Sequence, residues 1–152
     1  MKIEKADLAQ KLNKIKSVVP KKTVTPVLQG VLVKDGYMMA SNLEMTVKTK
    51  LEGTEGESFI IPERAFDLIN NLPDGEMEIS VASNHIITIK AEKIKNKYQT
   101  MDPAKFPVMS SEEEGGELTI KSDILLESIK RVSYAVPAKS NNPAMASMCL
   151  QA

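Results

Sequence analysis

The 152-residue sequence has no tryptophan, one cysteine (Cys149) and one histidine (His85). Zinc sites draw three or four ligands from His, Cys and carboxylates, and thiol catalysis pairs a cysteine with a histidine, so most metal and nucleophile chemistry is excluded. One cysteine also rules out a disulfide within the chain. Aromatic residues make up only 4%, too few for a surface that stacks single-stranded bases on rings. No apolar run approaches the roughly 18 residues of a membrane span. The opening Met1-Lys2-Ile3-Glu4-Lys5 is charged from its second residue, unlike a secretory leader, and the expected location is the cytoplasm. Net charge is missing too, because 20 Lys and Arg offset 20 Asp and Glu.

What remains is enough for a core. Hydrophobic residues reach 42%, with nine methionines among them, and the length suits one ordinary domain or one domain plus the start of another. The charges are unevenly placed: residues 1–50 hold ten lysines against Glu4, Asp7, Asp35 and Glu44. Such a surplus suits a surface facing a polyanion, but on charge alone a lysine-rich solvated face is the commoner origin of the pattern.

Periodicity predicts an α+β chain. A short strand at Lys2–Glu4 leads into a helix over residues 5–18, where Leu8, Leu12 and Ile15 share a core-facing stripe and Gln10, Asn13, Lys14 and Ser17 lie opposite. Pro20 stops it. Strands are expected at Pro26–Val33, Tyr37–Ala40, Met45–Leu51, Ser58–Ile61, Glu76–Val81, Ile86–Ala91 and Ile94–Thr100, with Asp35-Gly36 supplying the positive φ of a hairpin turn. Pro62 is expected to open a second helix that buries Phe66, Ile69 and Leu72. Glu112-Glu113-Glu114-Gly115-Gly116 reads as a linker.

After the linker the opening pattern returns at a fixed offset of 117 residues. Ile3, Leu8, Val19, Pro20, Lys22 and Pro26 recur as Ile120, Leu125, Val136, Pro137, Lys139 and Pro143, with Lys14 and Thr23 answered by Arg131 and Ser140. Two prolines six residues apart, with a lysine between them and an apolar stripe in phase before them, point to duplication of a strand-helix-strand unit. Domains are therefore expected at 1–116 and 117–152, the second lacking the elements to close a core alone and so either incomplete or packed on another body.

The stretches Thr25-Pro26-Val27-Leu28-Gln29-Gly30, Ala40-Ser41-Asn42-Leu43-Glu44, Phe59-Ile60-Ile61-Pro62, Asn71-Leu72-Pro73-Asp74-Gly75 and Met101-Asp102-Pro103 resemble, in order and spacing, the N-terminal part of the bacterial DNA polymerase III β subunit family, the sliding clamps. The resemblance implies a clamp-like fold with helices on one face of antiparallel sheets. It further implies a head-to-tail homodimeric ring around duplex DNA, and partnership with DNA polymerase III subunits and the clamp loader. Its DNA-contacting loop maps onto Lys21, Lys22 and Thr23, and onto Lys139 and Ser140 in the second copy. Lys14, Lys130 and Arg131 are further candidates on the helices. The ring-interface strand maps onto Lys93, Lys95, Asn96 and Tyr98. Asn70 stands where the family commonly has a basic residue, and Asn96 where it usually has an apolar one.

Three readings follow. The first is a non-catalytic processivity factor, or a fragment of one, that needs sequence-blind attraction to phosphates. The second is a truncated clamp-derived module that binds clamp subunits or other proteins through an open strand edge without encircling DNA. The third, an enzyme, has the least support, because Glu112–Glu114 read as solvated linker charge rather than a convergent metal site. No cofactor and no metal are expected.

Overall fold

Strand alternation divides the apolar residues of the first unit between two clusters. The computed structural model describes residues 1–107 and 119–150, and the chain falls into two units, Met1–Ser110 and Ser111–Ala152. The first holds β1 (Lys2–Glu4), α1 (Lys5–Ile15), β2 (Gly30–Lys34), β3 (Tyr37–Ser41), β4 (Thr46–Lys50), β5 (Ser58–Pro62), α2 (Phe66–Asn71), β6 (Glu76–Val81), β7 (Ile86–Ala91) and β8 (Ile94–Gln99). They form two antiparallel four-stranded sheets, ordered β1-β6-β7-β8 and β4-β3-β2-β5.

Successive strand residues point to opposite faces. Val31 and Val33 of β2, Met38 and Ala40 of β3, and Phe59 and Ile61 of β5 join the main core, together with Met77, Ile79, Ile87 and Ile89 of the other sheet. Their neighbours Leu32, Met39 and Ile60 face the other way, under Val27, Leu28 and Phe106. On α1 the stripe Leu8, Leu12 and Ile15 is buried in the main core, and α1 packs against β3, β4 and α2. Phe66, Ile69 and Leu72 are buried as expected. The polar side of α1 is left outward.

Three expectations need correction. The first helix ends at Ile15, and Lys16–Val18 tightens into a 3-10 turn closed by Val19 N–H to Lys16 C=O at 3.1 Å. Pro26 opens a 3-10 turn, Pro26–Leu28, rather than a strand, because its fixed φ suits a first turn and it has no N–H for a ladder. The strand starts only at Gly30, where an added Cβ would lie 2.6 Å from Ile60 Cγ2 and 2.7 Å from the Ile61 carbonyl oxygen. Pro62 belongs to the end of β5, paired with Gly30, and a 3-10 turn at Glu63–Ala65 separates it from α2.

The second unit contains α3 (Ser122–Val132) and 3-10 turns at Ser133–Ala135 and Pro143–Ala146. Among the described residues it has no strand, against the expected strand-helix-strand unit. In the first copy β1 is held by β6, and no described segment of the second unit offers Ile120 such a partner, so its backbone groups have no ladder to join. The helices nonetheless coincide residue by residue: α3 begins and ends 117 residues after α1. The expected linker at 112–116, and the expected domain boundary after it, lie outside the described residues.

Candidate nucleic-acid interface

Because Leu8, Leu12 and Ile15 face the core, the helical period leaves Gln10, Asn13 and Lys14 exposed on one side of α1, with Ser17 exposed in the 3-10 turn that follows. Lys16 follows in the 3-10 turn, and Lys21 and Lys22 stand exposed in the loop after Pro20. That loop is braced: Gln29 Nε2 donates to the Lys21 carbonyl at 3.3 Å, and Thr23 Oγ1 accepts from the Thr25 N–H at 3.1 Å. Lys16 and Lys21 line a groove of about 530 Å³ whose other wall carries Glu63, Phe66 and Asp67. Among the described residues Lys14, Lys16, Lys21 and Lys22 make no ion pair, so their charge is directed to solvent.

The second unit repeats these local features. Ser140 Oγ accepts from the Asn142 N–H at 3.1 Å, and Met145 N–H donates to the Asn142 carbonyl at 3.1 Å, as Leu28 N–H does to Thr25 at 3.0 Å. Lys130 and Lys139 are exposed. Arg131 is exposed but engaged, its Nη2 lying 2.6 Å from Glu127 Oε1 one turn earlier, which reduces the charge it offers a ligand.

The donors here are ammonium groups and backbone-braced hydroxyls, with the carboxylates of Glu63 and Asp67 across the groove. No group of three His, Cys, Asp or Glu side chains converges among the described residues. Such a surface attracts phosphates without reading sequence.

The interface candidates separate by face. β8 is an edge strand. Asn96 is in register with buried Ile89, and Tyr98 packs on the main core, so both lie on the inner face. Lys95 is in register with Lys90 on the outer face. Lys93 sits in the β7–β8 turn beside Glu92, whose φ is 48°.

Sequence reasoning missed three features. Lys16 escaped because in a helix running to residue 18 it falls between the core stripe and the polar face, whereas the 3-10 turn at Lys16–Val18 leaves it exposed. Lys90 and Lys97 flank Lys95 in a shallow polar hollow with Glu78, Ser80 and Thr88, which becomes visible only once strand register is known. Asn13 Nδ2 donates to Asn70 Oδ1 at 2.9 Å across α1 and α2, and no spacing rule links residues 57 apart.

The family model of the DNA polymerase III beta subunit, N-terminal domain, matches residues 1–110. The chain belongs to that family. Among curated relatives, the beta sliding clamp of Chlamydia muridarum is 28% identical over 141 residues, covering 88% of this chain and 38% of its own length. That of Bacillus subtilis is 22% identical over 156 residues, covering 93% and 41%. Among solved structures, a DNA polymerase III beta subunit from Eubacterium rectale superposes with a TM-score of 0.85 at 21% identity, over 95% of this chain and 41% of that one. The Pseudomonas aeruginosa DNA polymerase III subunit beta gives 0.81 at 24%, over 95% and 42%. The antiparallel α+β fold is thus that of the clamps, and the chain spans about two fifths of the length of the relatives it matches.

Proposed function

We propose that this chain acts as part of a sliding clamp: a non-catalytic processivity factor that helps hold DNA polymerase III on duplex DNA by encirclement. One observation carries the reading. The helix-turn-loop that puts Lys14, Lys21, Lys22 and Thr23 at the surface recurs 117 residues later with Arg131, Lys139 and Ser140, in a chain of the β-subunit family. Repeated, outward, mostly unpaired cations suit a protein that must attract phosphates yet slide past them, since contacts to base edges would stop it.

Clamp-type domains at 1–116 and from 117 onward belong to this proposal. Duplex DNA is the primary partner, with polymerase III subunits and the clamp loader as protein partners and the cytoplasm as the compartment. Lys93, Lys95, Asn96 and Tyr98 form the ring contact of a head-to-tail homodimer, a role supported by the edge position of β8.

A second reading, a clamp-derived interaction module that does not encircle DNA, draws on α3, where Ile124, Leu126, Ile129 and Val132 are all exposed.

Equilibrium binding to duplexes of unrelated sequence across about 50 to 200 mM salt tests the proposal. Affinity is expected to be sequence-blind, to fall with salt, and to fall less steeply when Lys14, Lys21 and Lys22 are changed to Ala. Binding that stays flat as salt rises would overturn it.

A further inference from the structure

The outer face of the β1-β6-β7-β8 sheet is divided by charge. Lys2, Glu4, Glu76 and Glu78 stand on β1 and β6, where Lys2 and Glu76 pair at 2.7 Å. β7 and β8 carry Lys90, Lys95 and Lys97 and no acidic residue. Strand register then sets like against like: Lys95 lies directly opposite Lys90, with Lys97 opposite Thr88. Like charges directly opposite on neighbouring strands repel, and a carboxylate at either position would have relieved this. Glu78, the neighbour of Lys90 on β6, comes only to 3.6 Å from its Nζ. Lys95 and Lys97 make no ion pair among the described residues.

These groups surround a hollow of about 320 Å³, to which Ser80 and Thr88 add two hydroxyls. Across the strands its corners are about 5 Å apart, and along a strand about 7 Å. Three ammonium groups and a hydroxyl on such a rectangle suit an anion whose charged oxygens are spread over several atoms, rather than one small ion. Lysine binds phosphate as a point charge, without the fixed angles of a guanidinium fork, and the hydroxyls donate to the remaining oxygens. No aromatic residue lines the hollow, and Tyr98 of β8 packs on the main core instead, so a base would find no ring to stack on.

We propose that this hollow is a binding site for di- and triphosphate anions, free or as the tail of a nucleotide, held by Lys90, Lys95 and Lys97 with Ser80 and Thr88. The phosphate chain lies between the opposed lysines and replaces their repulsion by attraction to a shared anion. Side chains stand off the sheet face, so the site leaves the backbone edge of β8 free for a strand partner. Neither α1 nor α3 takes part, and the proposal is independent of the reading of the helix face.

The experiment titrates the full 152-residue chain with sodium tripolyphosphate at constant ionic strength, following backbone amide shifts by nuclear magnetic resonance. Saturable shifts are expected, concentrated on β6, β7 and β8 around Ser80, Thr88, Lys95 and Lys97. Lys95→Gln combined with Lys97→Gln is expected to weaken binding about three- to tenfold, and Thr88→Val, which keeps the shape of the side chain, about two- to fivefold. Circular dichroism confirms that each variant is folded. Orthophosphate is expected to bind more weakly than tripolyphosphate, and a nucleoside triphosphate about as tightly.

Shifts spread over all exposed lysines without saturation would show screening alone and overturn the proposal. So would a double variant that binds like the parent, or orthophosphate binding as tightly as tripolyphosphate. A nucleoside triphosphate that binds where tripolyphosphate does not would also overturn it, because recognition would then lie with the nucleoside.

Discussion

Thr23 and Ser140, 117 residues apart, make the same hydrogen bond: each hydroxyl accepts from the backbone N–H two residues on, at 3.1 Å in both. The side chain satisfies a backbone donor that the turn would otherwise leave to water, and it fixes the loop that carries Lys21 and Lys22 in one copy and Lys139 in the other.

Replacing Thr23 by Val keeps the shape and removes the acceptor. The loss is expected to be about 1 kcal/mol, read from the urea midpoint, with faster hydrogen exchange at the Thr25 amide. Unchanged exchange there would show that the loop does not depend on the bond.

Equivalent positions in the repeat are expected to respond unequally to truncation. Leu12 is fully buried, whereas its counterpart Ile129 is 41% exposed. Leu12→Ala should cost about 2–5 kcal/mol through lost burial and a residual cavity. Ile129→Ala should leave the main unfolding transition within about 1 kcal/mol of the parent. Urea titration followed by far-ultraviolet circular dichroism separates the two, and equal losses would mean that α3 is buried as α1 is.

Gly30 tests close packing between β2 and β5. An added Cβ would meet Ile60 Cγ2 at 2.6 Å and the Ile61 carbonyl oxygen at 2.7 Å, and the carbonyl cannot rotate away without breaking the ladder. Gly30→Ala is expected to destabilise by about 1–3 kcal/mol. A neutral result would show that the two strands can separate at no cost.

Lys2 supplies a pH signature. Glu76 accepts a hydrogen bond from Lys2 Nζ at 2.7 Å, and that bond, with the carboxylate charges of Glu76 and Glu78, raises the Lys2 pKa above 10.5. A group whose pKa is raised in the folded state contributes fully below its unfolded value and loses the contribution as pH rises through the folded one. Stability from this pair is therefore expected to be flat from neutral pH to about 10 and to decline above it. The decline should be smaller in Glu76→Gln, where only the Glu78 charge still raises the Lys2 pKa, and because the pair is exposed, salt should shrink it. Denaturant midpoints across that range make the check.

How much was legible beforehand follows from how far each feature reaches along the chain. The stripe Leu8, Leu12, Ile15 depends on residues one or two turns apart, and the Asp35-Gly36 turn on two neighbours, so both could be read directly. The 117-residue repeat was legible as well, because paired prolines and an in-phase stripe survive as letters. Pro26 misled: a proline before an apolar run is compatible with a strand start or with a helical turn, and the choice lay with Gly30, whose approach to β5 delays the ladder.

The letters alone settled an α+β chain with a cationic helix face and a helix repeated 117 residues on, since local sterics and periodicity govern all of these. The folded molecule was needed to assign the rest. Asn13 against Asn70, Lys90 beside Lys95, and the division of β2, β3 and β5 between two clusters all join segments distant in sequence, and such pairings arise from how sheets and helices pack rather than from any property of the residues taken in order.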